Sequence, residues 1–170
     1  MAVDYNNSEL LLPEFLREYE RRDVVYLGRS MAAKDIYHEA CVRALEKDGW
    51  TITHDPLTIP VEKTNLLIDI GAEKFITAER GMERIAVEVK SFIGISTIQD
   101  LHLAVGQFLI YEMALRQSDR QADRTLYLSI RASSYDSAFH EGVGAMVLRN
   151  KAIRLLVFDE VTEEITQWIN

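Results

Sequence analysis

The chain has 170 residues, 48% of them hydrophobic and 27% charged, with a formal net charge of −8 and one cysteine. There is material for one sizeable core and no internal disulfide, and nonspecific coating of nucleic acid is disfavoured because it rests on Lys and Arg neutralising phosphates. No apolar run approaches the roughly 20 residues of a bilayer span, and residues 1–7 lack the basic and apolar blocks of a signal peptide, so a cytoplasmic protein without membrane contact is expected.

Residues 1–30 read as an N-terminal arm. Ser8 can cap a short helix through Leu10, Leu11, Leu12, Phe15, Leu16 and Tyr19, with Pro13 in its first turn, and residues 23–30 form a connector. Met31 opens a domain that runs to Asn170. From Ala32 to Asp48 the positions Ile36, Ala40, Cys41, Ala44 and Leu45 recur at helical spacing, and Gly49 follows as a left-handed stop. Cys41 lies on that apolar face and is expected to be a buried small hydrophobe. Trp50 to Thr53 is β-rich, His54-Asp55-Pro56 is a turn, and Leu57 to Val61 is extended.

Leu66 to Ile70 is predicted as one apolar strand interrupted only by Asp69 and punctuated by Gly71. Ile85 to Lys90 is the next strand, reached through a polar stretch in which Gly81 can turn a hairpin. Ser96 with Gln99 marks a capping box that opens a helix to about Arg116, with Ile98, Leu101, Val105, Phe108, Leu109 and Ala114 as its apolar stripe. Arg124 to Ile130 is a strand, Tyr135 to Val147 a helix despite Gly142 and Gly144, Ile153 to Phe158 a buried strand, and Glu164 to Ile169 a short closing strand. This order indicates an α/β sandwich with a central mixed sheet flanked by helices.

The strand period of two puts Glu88 and Lys90 on one face of Val87-Glu88-Val89-Lys90, while the valines point the other way. Ionisable groups inside apolar strands are costly when buried alone, and Asp69 within Leu66-Leu67-Ile68-Asp69-Ile70 has the same difficulty. As a hairpin, the two strands would bring Asp69, Glu88 and Lys90 together. Groups so placed need a partner, a metal or a wet cleft. The alternative is an ion pair across a solvated sheet face.

An Asp on one strand, Glu-x-Lys on the next and a Glu on the preceding helix resemble the PD-(D/E)XK nuclease superfamily, which implies a restriction-endonuclease-like fold. The resemblance implies that Asp69 and Glu88 hold Mg²⁺ or Mn²⁺ with the Val89 carbonyl, that Lys90 orients and activates the attacking water, and that Glu39 assists the metal. Gln107 and Tyr111, one helical turn apart, resemble a Gln-xxx-Tyr element that supports such sites; the alternative for them is the polar edge of a packed helix. Ile68 stands where the superfamily's proline would be.

Longer strings are similar to the XisH family: Ala32-Ala33-Lys34-Asp35-Ile36-Tyr37-His38-Glu39-Ala40, then Asp48 to Pro56, then Glu88-Val89-Lys90-Ser91-Phe92-Ile93-Gly94. The likeness continues through Gly106-Gln107, Asp123 to Tyr127, and Val157-Phe158-Asp159 to Gln167-Trp168-Ile169, and leaves the first thirty residues unmatched. It implies a controlling factor for excision of the fdxN element, a programmed DNA rearrangement, beside a site-specific recombinase and an XisI-like companion protein. DNA is then the expected partner, and a homodimer would let such a nuclease reach both strands. His38 and His54 lack structural zinc spacing and are assigned hydrogen-bonding or turn roles. Trp50, Trp168 and the tyrosines are read as core, and Lys34, Arg43 and Lys47 as a solvated helix face.

Overall fold

The computed structural model describes residues 36–77 and 81–170, which belong to the compact unit Lys34–Asn170. The expected short helix in the arm, the connector, Lys34 and the start of the helix predicted from Ala32 lie outside the described residues.

Helix α1 is His38–Lys47, and it buries Ala40, Cys41, Ala44 and Leu45, the face the periodicity marks. Ile36 belongs to a turn before it and is exposed, so it is not part of that face. Gly49 (φ +87°) ends the helix, its amide bonding back to Glu46 O while Trp50 N reaches Leu45 O. A side chain is strained in that left-handed conformation, which is why glycine stands there.

The strands are β1 (Thr51–His54), β2 (Leu57–Val61), β3 (Thr64–Ile68), β4 (Ile70–Thr77), β5 (Gly81–Val89), β6 (Thr125–Arg131), β7 (Leu155–Asp159) and β8 (Glu164–Ile169). Six form one mixed sheet in the order β1-β4-β5-β6-β7-β8, and β2 with β3 makes a separate antiparallel ribbon. The centre, β5-β6-β7, is parallel, while β1-β4, β4-β5 and β7-β8 are antiparallel. Helix α2 (Thr97–Gln117) makes the crossover from β5 to β6, and α3 (Ala132–Ala138) with α4 (Gly142–Arg149) makes the next, as parallel strands require.

Three expectations are corrected. The single strand Leu66–Ile70 is two: β3 pairs with β2, β4 joins the main sheet, and Asp69 is the bend between them. Ile68 and Ile70 are both fully buried, yet in different cores, so the chain changes sheets at Asp69 and Gly71 lies inside β4. The helix expected from Tyr135 to Val147 is also two, because Gly142 (φ +63°) breaks it. Gly144 then lets α4 pack on α3, where an added Cβ would lie 1.8 Å from the Ala138 carbonyl oxygen. The capping box does open α2, with Ser96 Oγ accepting from Gln99 N at 3.4 Å. Its buried stripe, however, is Leu101, Ala104, Phe108, Tyr111, Ala114 and Leu115, with Ile98 and Leu109 exposed.

Two cores sandwich the sheet. Ile85, Val87 and Val89 of β5 pack with α1, Trp50 and Phe158, and Trp168 lies against that cluster. Ala86 packs with α2, α3 and the β2-β3 ribbon on the other face. Cys41 is buried as expected, its Sγ 3.1 Å from Ser129 Oγ. Among the described residues no helix is long and apolar enough to cross a membrane.

Candidate active site

The β4-β5 hairpin pairs Ile70 with Val87, and continuing that register by one residue sets Asp69 opposite Glu88. Opposed residues of an antiparallel pair share a face, and alternation puts Asp69, Glu88 and Lys90 on the side of Ala86, beneath α2. The bend at Asp69 lets its side chain turn along the hairpin, where Oδ2 accepts the Val89 amide at 2.8 Å. Lys90 Nζ stands 2.8 Å from Glu88 Oε1. Glu88 is only 3% exposed, and its Oε2 has no hydrogen-bond partner among the described residues.

Burial, followed by the adjacent Asp69 charge, pushes the Glu88 carboxyl up to about 7, against the opposing pull of the Lys90 ammonium and the Asp69 backbone amide. Nearly three turns into α2, Gln107 Nε2 donates to Tyr111 Oη at 2.6 Å. The Tyr111 phenol is pushed up to about 12 by burial and then by the Glu88 charge, with Asp69 adding to the rise, so Tyr111 lies within electrostatic reach of both carboxylates. The structure therefore brings together Asp69, Glu88 and Lys90 with Gln107 and Tyr111 beside them.

Glu39 is not drawn into that group. It projects from the exposed side of α1, a helix that packs on the opposite face of the sheet, and its charge acts on Arg43 one turn away. Among the described residues no three His, Cys, Asp or Glu side chains group as a metal-holding set. His38 Nε2 bonds Asp55 Oδ2 at 3.0 Å and His54 Nδ1 pairs with Thr53 Oγ1 at 2.9 Å, so both histidines sit in hydrogen bonds. Arg43 and Lys47 meet Glu163 at the surface.

The sequence reading missed the brace behind Lys90. Arg131 and Ser134 both donate to the Ser91 carbonyl, at 3.1 Å each, and the Arg131 guanidinium lies 4.3 Å from the Tyr37 ring centre. Nothing in spacing signals this, because the partners are forty or more residues apart in the chain.

Fold and site define a mixed α/β protein that holds a buried carboxylate, a second carboxylate and a lysine at the end of its central hairpin. The chain belongs to the XisH family: the family's pattern, described as XisH protein, matches residues 31–166. It is similar to the crystal structure of an XisH family protein from Nostoc punctiforme PCC 73102, at 43% identity, with 80% of this chain and all of that one covered and a TM-score of 0.70. It is likewise similar to a fdxN element excision controlling factor protein from Anabaena variabilis, at 42% identity over 81% of this chain and all of that one, again with a TM-score of 0.70. No curated protein matches the chain.

Proposed function

We propose that this protein acts on DNA in the excision of a genomic element, through a restriction-endonuclease-like core of the PD-(D/E)XK kind that hydrolyses a phosphodiester with Mg²⁺ or Mn²⁺. The observation that carries the reading is the unbonded, buried Oε2 of Glu88, opposite Asp69 and beside Lys90. A buried carboxylate oxygen with no donor is costly, and a cation is the partner that relieves it. One or two carboxylates completed by water are what Mg²⁺ takes, so the donor set fits that ion without a third acidic side chain.

Asp69 and Glu88, with the Val89 carbonyl, would hold the ion. Bound there, it would supply the charge that polarises a scissile phosphate and acidifies a water. Lys90, an ammonium 2.8 Å from Glu88, would orient that water and favour its deprotonated form. Gln107 holds the Tyr111 hydroxyl, and that pair would support the site from α2. Because Glu88 holds its proton up to about pH 7, metal competes with that proton and affinity rises as pH climbs through neutrality. Calorimetric titration with Mg²⁺ and Mn²⁺, and incubation with single-stranded, duplex and branched DNA, test this against Glu88→Ala. Metal binding and cleavage that both vanish in the variant are expected; wild-type protein that neither binds metal nor cuts any of these DNAs defeats the proposal.

A second reading is a noncatalytic regulator that docks to DNA, to a site-specific recombinase or to an XisI-like companion. It is favoured by the bonds already made within the site, Asp69 to the Val89 amide and Lys90 to Glu88, and by the net charge of −8. The name of the Anabaena variabilis relative, a controlling factor, agrees with it. A stable complex with such a protein and no metal uptake would select this reading.

A further inference from the structure

Helix α2 is apolar on two sides. Opposite its buried stripe runs a second one, Gln99, Leu103, Gly106, Ile110, Met113 and Gln117, at alternating steps of four and three. Leu103, Ile110 and Met113 are 64%, 52% and 56% exposed, and Leu109 flanks them. No charged residue stands on the stripe. Steps of this kind make the seam along which two helices pair, and a monomer seldom leaves so continuous an apolar face in water.

We infer that this face binds a second copy of the chain, α2 against α2, antiparallel about a two-fold axis. The stripe is complementary to itself when reversed. Gln99 of one copy falls opposite Gln117 of the other, where two amides can hydrogen-bond. Leu103 falls opposite Met113, and Gly106 opposite Ile110. A Cβ at Gly106 would meet nothing within 4 Å, so the helix surface there is an open notch into which the isoleucine fits.

From these exposures, the apolar residues offer about 400 Å² per copy, or about 800 Å² for the pair, and the exposed Gln99 and Gln117 at the two ends add polar surface toward the roughly 1,000 Å² of a specific interface. A two-fold contact needs one surface that fits itself, and this stripe does; a different protein would have to supply a matching one.

Sedimentation of the full chain at micromolar concentration tests the inference. The wild type is expected at twice the 19.5 kDa chain mass. Ile110→Glu and Leu103→Glu place a charge at the seam and should weaken the pair about 100-fold or more, with the circular dichroism of the wild type retained. In the double variant Gly106→Cys with Ile110→Cys, oxidation should give a covalent dimer. A wild type at single-chain mass, including one whose α2 face is covered by another part of its own chain, overturns the proposal. So does a dimer that survives Ile110→Glu.

Discussion

The β4-β5 hairpin carries two clusters of charge, one midway along it and one at its open end, and they are built in opposite ways. Midway along, Arg124, with no side-chain exposure, donates to the Ala72 and Ile85 carbonyls at 3.0 and 2.8 Å, to Glu73 at 3.0 Å and to Gln121 at 2.7 Å. Arg84 adds Glu73 and Asp123, at 2.9 and 2.6 Å, so the buried cation there is satisfied on every side. Four residues along the same strands, Glu88 is as deeply buried and keeps one oxygen without a donor. Burial of charge alone does not distinguish a structural clamp from a candidate site; the incomplete hydrogen bonding does.

Each cluster gives a way to break that contrast. Arg124→Ala strands two buried carbonyls and Glu73, and should cost about 3–5 kcal/mol in urea denaturation, the largest effect of the set. A loss under about 1 kcal/mol would mean that the clamp is ornamental.

Glu88→Gln should act in the opposite direction. The Glu88 carboxyl is raised in the folded chain, so its contribution to stability is fully present below the ordinary carboxyl range and is lost as pH rises through about 7. The glutamine variant lacks that decline and should exceed the wild type at pH 8 by about 2–3 kcal/mol, with little difference at pH 4. Parallel pH profiles for the two proteins would show that Glu88 is relieved by something else.

Tyr111→Phe leaves Gln107 without its hydroxyl partner and should cost about 1 kcal/mol. The readout that separates this from simple packing is Glu88, whose titration, followed by carbon NMR, should move when the phenol is removed. Asp123→Ala should be smallest, within about 0.5 kcal/mol, because Asp123 is mostly exposed and its pair with Arg84 is solvent-screened. A larger loss would place Asp123 inside the clamp rather than at its rim.

Much of this was legible in the residues. The period of two in Val87-Glu88-Val89-Lys90 put Glu88 and Lys90 on one face, and the capping pair Ser96 and Gln99 located the start of α2. What failed did so for identifiable reasons. An apolar run cannot reveal that its two halves belong to different sheets, so the bend at Asp69 was invisible. A helix apolar on both sides does not disclose which stripe turns inward, and so Ile98 and Leu109 were misplaced.

The sequence by itself determined the local rules: alternation along β5, the cap of α2, the glycine stop after α1, and the family strings. Only tertiary structure decided which charges meet. Asp69 reaches Val89 because the chain changes sheets at that residue, and Tyr111 feels the Glu88 charge because α2 settles on the side of Ala86. Glu39 went elsewhere because α1 settled on the other side. Local pattern fixes the direction of a side chain within its element, whereas the packing of elements, driven by burial over the whole core, fixes which directions converge.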